Sequence, residues 1–496
     1  MRALLMRLTL LSTLFLVAAC NQVPAARPPM DNRLYYPTGL AFVPPDDPDA
    51  GLGRIYVASS DFDRRFDIGW VTTIDLGQVR SPDGRGLSLP GEPLAPPSDG
   101  GSDQGRPVQF TDLGTDAGSV VLVAPFAGLV TADLRHSRLF VPSRSEGDEV
   151  AVMDISPVDG GVPLRCYFSG GTDCTQDSIP LAVNNDPGDY GIPAAPQPYG
   201  VFLPTGFLPD GGVDPHEDEI YVTHIRPASS PAQSFTNLDN FLVTLTGAQL
   251  EGGRAAYPTA GRFQPPDPDF SPIGRGSSDS MVITPDFLYV SGRAKLVASD
   301  PDVLIRVVDR GSKLIAFPQI GLVWASTEAR GVQLRGDGRR LYLAAQNPGA
   351  LLVVDVSSPP GTDLAPSFTL VRAVPLPQGP TDVQLLERPD GRPPLVVVSC
   401  TIDGSIVFYD DDLGQISARI AGVGAVPFAI AVDRRSSSVA RLYVSNFGDA
   451  RIAVVDVPLS AGSGGGTLAP RLIGHVGMKQ YCLLATDDRN CVDTTP

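Results

Sequence analysis

The feature that most constrains this chain is a small β unit written seven times along it. Its clearest copy runs over residues 441–457, where two apolar strands flank the turn Phe447-Gly448-Asp449-Ala450-Arg451. Residues 427–433 supply a strand before it and residues 471–476 one after it, so the unit reads as a four-stranded antiparallel sheet. Alternating apolar and small residues, rich in β-branched and aromatic types, are strand chemistry because successive side chains face opposite sides. The middle strand recurs at 54–59, 138–143, 219–224, 287–292, 340–345, 395–400 and 441–446. The third strands mostly close on an aspartate: Asp75, Asp154, Asp309, Asp355, Asp410 and Asp456. Recurrence in most units marks these as hydrogen-bonding groups at strand ends rather than catalytic ones.

The last aspartates are spaced close to the roughly 40–50 residues of one propeller blade. The expected fold is therefore all-β: a seven-bladed β-propeller of four-stranded antiparallel blades, with long loop insertions in the N-terminal half. Those insertions are the Pro/Gly/Asp-rich stretches 81–105, 183–196 and 254–277. Helical periodicity is nearly absent. Gly and small residues in the first strands suit a backbone crowded at a central axis.

Leu442-Tyr443-Val444-Ser445-Asn446, with Pro427-Phe428-Ala429-Ile430-Ala431-Val432 before it, resembles the YVTN family of β-propeller repeats, close to the lactonase-like seven-bladed propellers. The resemblance spans nearly the whole mature chain, and it is specific for fold rather than function because propellers host many unrelated activities. The position of Asn446 is Ser59, Ser143, His224, Gly292, Ala345 or Cys400 in the other units. What varies around the ring is the polar turn after each middle strand.

The N-terminus carries Arg2 and Arg7 and then an apolar run over 8–17, a secretory signal in size and too short to span a bilayer. Leu16-Val17-Ala18-Ala19-Cys20 resembles the lipobox of bacterial lipoproteins, which implies a mature chain beginning at lipidated Cys20. Asn21 in place of Asp implies the outer membrane of a Gram-negative cell. The expected layout is a signal peptide over 1–19, a proline-containing tether over 20–33, the propeller over 34–480 and a tail over 481–496. Cysteine usage fits export: Cys166 with Cys174 and Cys482 with Cys491 are expected local disulfides, and Cys400 is left over as a buried thiol. No Cys-x-x-Cys motif occurs. A net charge of −17, with Lys295, Lys313 and Lys479 as the only lysines, argues against a nucleic-acid partner.

In a propeller the turns after the middle strands and the entries into the first strands emerge on one face, around the channel mouth. The residues expected there include Asp61, Asp63, Arg144, His224, Arg226, Arg293, Arg330, Asn347, Asp403 and Asn446. Solvated loop tips and a polar ligand site are both open readings of this ring. The partners it suits are an envelope protein, a glycan or a small polar ligand, besides the membrane reached through the lipid, with the protein itself a monomer. The carboxylate runs lack EF-hand spacing and the histidines lack ligand spacing, so no metal or other cofactor is expected. The first functional reading is a binding or interaction module. Its alternative, implied by the resemblance, is a lactonase-like hydrolase using His224, Arg226 and Glu328; no Gly-x-Ser-x-Gly elbow is present.

Overall fold

A computed structural model describes residues 33–45, 51–62, 68–95, 107–114, 120–144, 148–156, 164–181, 197–204, 212–225, 239–260, 269–275, 277–292, 304–318, 320, 328–357, 366–460 and 468–478. They form seven sheets arranged as a ring, each running from an innermost to an outermost strand. Blade 1 is Pro37–Val43, Arg54–Ser59, Gly69–Asp75 and Val120–Val123; blade 2 is Thr131–Asp133, Arg138–Ser143, Glu149–Asp154 and Ser178–Pro180, with Arg165–Cys166 beside its third strand. Blade 3 is Pro198–Phe202, Glu219–His224, Asp239–Thr246 and Asp269–Arg275; blade 4 is Met281–Ile283, Phe287–Ser291, Ile305–Asp309 and Ile315–Ala316. Blade 5 is Ala329–Leu334, Arg340–Ala345, Ala350–Ser357 and Ser367–Pro375; blade 6 is Pro380–Leu386, Leu395–Cys400, Ser405–Asp410 and Gln415–Ala421. Blade 7 is Pro427–Asp433, Val439–Asn446, Arg451–Pro458 and Arg471–Val476. This is the architecture expected from the repeat.

Each gap between neighbouring blades is filled by its own apolar cluster, such as Val397, Phe408, Leu442 and Val455 between blades 6 and 7. The units are sticky on both faces, and closing the ring leaves no face unpaired. Glycines at the axis have the expected role: a Cβ on Gly39 would lie 2.4 Å from the Val130 amide nitrogen of the next blade.

Five innermost strands enter with a register shift opposite the end of the middle strand, between Pro37/Gly39, Pro198/Gly200, Ala329/Val332, Pro380/Val383 and Pro427/Ile430. A shift takes backbone groups out of the ladder, and in blades 6 and 7 a serine hydroxyl on the middle strand bonds the freed amide. Ser399 Oγ accepts from the Asp382 amide at 3.0 Å and donates to the Phe428 carbonyl of the next blade at 2.9 Å. Ser445 Oγ accepts from Ala429 at 2.9 Å; in blade 4, whose innermost strand pairs without a shift, Ser291 Oγ accepts from Ser280 and donates to the Arg330 carbonyl. Ser399 and Ser291 thus tie their blades to the next one.

Blade 7 is completed by its own strand Arg471–Val476, and the chain also clasps it from outside. The excursion between the third and fourth strands of blade 1 carries Val108–Phe110, which pairs parallel to Arg471–Val476. At the other end of the same blade the buried Arg441 grips Asp456 through Nε–Oδ1 at 2.7 Å and Nη2–Oδ2 at 3.0 Å. Its guanidinium also donates to the Ser88 and Leu89 carbonyls, while Asp456 Oδ2 accepts from Gly91. Asp456 is therefore an exception among the strand-end aspartates; Asp75, Asp154, Asp309 and Asp410 do accept from backbone amides two or three residues on.

The same backward reach recurs. In blade 2 the Cys166–Cys174 disulfide closes a loop whose Thr172 and Cys174 backbone pairs with Leu122 of blade 1. In blade 3 the helix Gly247–Ala260 places Glu251 on Arg138 and on the Tyr167 hydroxyl of blade 2. Arg310 of blade 4 holds Asp214 of blade 3 at 2.7 Å, and Asp411 of blade 6 accepts from Tyr342 of blade 5 at 2.9 Å. Stretches read from sequence as plain inserted loops are therefore in part structured: Ser88, Leu89 and Gly91 dock on blade 7, and 254–277 contains helix and a blade strand. The insertion 183–196, the signal and tether over 1–32, and the Cys482 and Cys491 pair lie outside the described residues. Cys400 is free and buried, as expected. Among the described residues no helix is long and apolar enough to cross a membrane.

Candidate functional site

Innermost strands start at one rim of the ring, called upper here, and end at the lower rim, since Pro427 pairs with Asn446 and Asp433 with Arg441. The turns after the middle strands also leave from the upper rim. Asn347 and Asp403 are exposed at the tips of two such turns, and Asp403 accepts from Arg419 at 2.6 Å. Arg144 is half-buried. Asp61 is buried and caps the Ile68 amide at 3.2 Å. Asn446 is buried, donating to the Val423 carbonyl at 3.2 Å. His224 is buried, and its backbone is tied to Ser278 of the next blade's entry at 2.8 Å. Arg330 Nε donates to Glu328 Oε1 at 2.9 Å. Asp63, Arg226 and Arg293 lie outside the described residues.

A subset of these converges at the axis. Arg330, Arg144 and Asp382 share one electrostatic neighbourhood with Tyr199. Burial pushes the Tyr199 hydroxyl up to about 12, and the two arginines, which lower it, are opposed by Asp279 and Asp382. Burial also works against the Arg330 charge, yet Tyr199, Asp279 and Glu328 outweigh it and hold the guanidinium above its ordinary value. Asp279 was not picked out from sequence; it occupies in blade 4 the place of Arg330 in blade 5, a correspondence that needs the strand register.

Two aromatic rings complete this tier. Tyr199 of blade 3 and Phe428 of blade 7 meet edge to face with centroids 6.4 Å apart. Blades 3 and 7 are not neighbours, so the contact crosses the axis. Around the seam of blades 7, 1 and 2, Tyr36, Phe62, Phe126 and Phe447 form a second aromatic group, with centroid separations from 5.0 to 6.1 Å. Phe62 there is 46% exposed, and Ile402 on the blade 6 turn is 74% exposed.

Beneath the Tyr199–Phe428 pair lies a cavity of about 470 Å³ running toward the lower rim. Asp382, Gln384, Gln333, Ser280 and Thr131 give it polar walls. Asp382 Oδ2 accepts from the Ile430 amide at 2.7 Å, and Gln384 Nε2 donates to Oδ1 at 3.3 Å. Enclosure by protein pushes the Asp382 carboxyl up to about 7, only partly offset by those bonds to the charged form. A larger hollow of about 570 Å³ lies off the axis at the lower edges of blades 1 and 2, walled by Val43, Pro44, Pro45 and Leu134. Among the described residues no group of three or more His, Cys, Asp or Glu could hold a metal ion.

No protein-family model matches this sequence, and no curated protein matches it. Solved structures do resemble it. The Pseudomonas aeruginosa periplasmic gluconolactonase PpgL is 14% identical at a TM-score of 0.45, over 82% of this chain and 88% of that one. A putative 6-phosphogluconolactonase from Bacteroides fragilis is 14% identical at 0.39, over 78% and 83%. The β-propeller domain of Myceliophteria thermophila Cps50 is 11% identical at 0.45, over 85% and 96%. Lactonase-like and other β-propellers thus stand among the structural neighbours, and the seven-bladed fold itself rests on the strand pairing above.

Proposed function

We propose that this protein is a binding module of the cell envelope, held at the outer membrane by lipid on Cys20 and engaging an envelope protein with its upper rim. The observation that carries this reading is the Tyr199–Phe428 contact across the axis. With rings meeting there, the upper rim offers a broad surface of turns, and broad surfaces with exposed aromatic and apolar groups suit macromolecular partners. Phe62 and Ile402 supply such groups beside the charged Asp403–Arg419 pair.

The hydrolase alternative needs His224, Arg226 and Glu328 to work on a substrate in a deep cleft. Screening purified protein against a panel of lactones separates the readings. The binding reading expects no turnover above buffer, whereas turnover that His224→Ala abolishes would overturn it. Membrane fractionation of Cys20→Ala tests the anchor: release into the soluble fraction is expected, and retention in the membrane contradicts it.

A further inference from the structure

We propose that the channel holds a second site, separate from the upper rim: the cavity beneath Tyr199 and Phe428 takes a small polar molecule bearing a primary ammonium group, which enters from the lower rim and pairs with Asp382.

The starting observation is where Asp382 stands. The matching innermost-strand positions in the other blades are Gly39, Leu129, Gly200, Ser280, Gly331 and Ala429. None of these is ionisable, and at Gly39 and Gly331 the next blade's backbone leaves no room for a side chain. A carboxylate there is expensive to enclose unless something meets its charge. Its hydrogen-bond partners, Ile430 and Gln384, are neutral, and among the described residues no lysine or arginine forms an ion pair with it.

The rest of the cavity points to the same ligand. Arg135 is the one basic residue lining it, near the lower mouth. Its guanidinium is already committed to Glu217 at 3.5 Å, to Asp133 at 3.9 Å and to the Pro204 and Glu217 carbonyls. An anionic guest would face Asp382 and Asp133 with no free cation among these lining residues. An ammonium group instead brings three donors to a carboxylate flanked by amide and hydroxyl oxygens of Gln384, Gln333 and Ser280. A divalent metal would want several carboxylates; the lining holds two, and Asp133 is already engaged by Arg135 and His136. Leu40, Val130 and Ile430 give an apolar wall for a short carbon skeleton. The volume of about 470 Å³ lies within the roughly 300–1,000 Å³ of small-molecule sites. The closed upper end leaves the lower rim as the route in.

Isothermal titration at about pH 8, where the carboxyl is mainly ionised, tests the site with matched pairs: ethanolamine against ethylene glycol, and glucamine against sorbitol. Binding of the amines and not of the diol or polyol is expected, and Asp382→Asn is expected to weaken amine binding roughly 10-fold or more. Gln384→Met removes an acceptor without touching the charge and is expected to weaken the amines several-fold, which serves if Asp382→Asn does not fold. Absence of amine binding to the wild type, equal binding of the neutral partners, or amine affinity unchanged in the variants would overturn the proposal. The upper-rim interaction is read by a different assay, so either can fail alone.

Discussion

Asp456→Asn is the substitution that probes ring closure most sharply. It keeps the side-chain volume and removes one charge from a pair in which Arg441 is fully buried and Asp456 nearly so. The fork between them is bidentate, at 2.7 and 3.0 Å, and Asp456 Oδ2 also accepts from Gly91 in the clasp. Deleting one partner of a buried pair strands the other charge, which costs about 3–5 kcal/mol. Against the roughly 5–15 kcal/mol that separates folded from unfolded chains, that is a large fraction. Urea unfolding monitored by tryptophan fluorescence gives the loss, and hydrogen exchange read by mass spectrometry gives its location. Faster exchange is expected over residues 88–91 and 108–110, because those segments hang on this pair and on the parallel strand beyond it. The double variant Arg441→Met/Asp456→Leu should recover much of the lost stability while the clasp still exchanges faster, since apolar replacement of a buried pair is often neutral. A loss below about 1 kcal/mol for Asp456→Asn, with clasp exchange unchanged, would refute this account of closure.

Two further outcomes follow from the axis and its seams. The Asp382 carboxyl is raised to about 7, so the folded protein keeps a proton that the unfolded chain has already released; the stability this gives is full below about pH 4 and is lost as pH rises through about 7. The shift from 3.8 bounds the effect at about 4 kcal/mol, and urea midpoints at about pH 5 and pH 8 should fall closer together in Asp382→Asn than in the wild type; identical differences in both would contradict the assignment. Ser399→Ala strips partners from the Asp382 amide and the Phe428 carbonyl and should cost about 1–3 kcal/mol in the same unfolding assay, whereas a neutral result would deny the hydroxyl its seam role.

The blades were legible because each middle strand, such as 395–400, carries its β pattern in consecutive residues and each gap needs only apolar alternation to fill it. Closure was not legible in the same way. Val108-Gln109-Phe110 is three residues long, and its partner Gly474 lies in the last blade, so no local pattern announces the pairing. The helix Gly247–Ala260 was missed for a related reason: Gly247, Gly252, Gly253 and Pro258 weaken helical propensity, and the contacts of Glu251 with blade 2 hold it in place. At the axis, Arg330 belongs to a strand entry that the sequence alone assigns to the channel mouth, whereas its grouping with Tyr199 and Asp279 depends on how the blades are arranged. Phe428 was read only as part of a blade strand, because its partner across the channel belongs to a blade far away in sequence. Asn446, His224 and Asp61 sit where their turns put them, but they are buried, a fact that depends on how neighbouring blades close over them.

The most direct test of the central claim, that the upper rim carries the interaction, is site-specific photo-crosslinking in living cells. A photoreactive residue placed at Phe62 or Ile402 reports the upper rim, and one at Leu314, which is 72% exposed in the lower-rim turn of blade 4, reports the opposite face. Discrete adducts from positions 62 and 402 and none from 314 are expected. Adducts from 314 alone, or from none of the three, would contradict it.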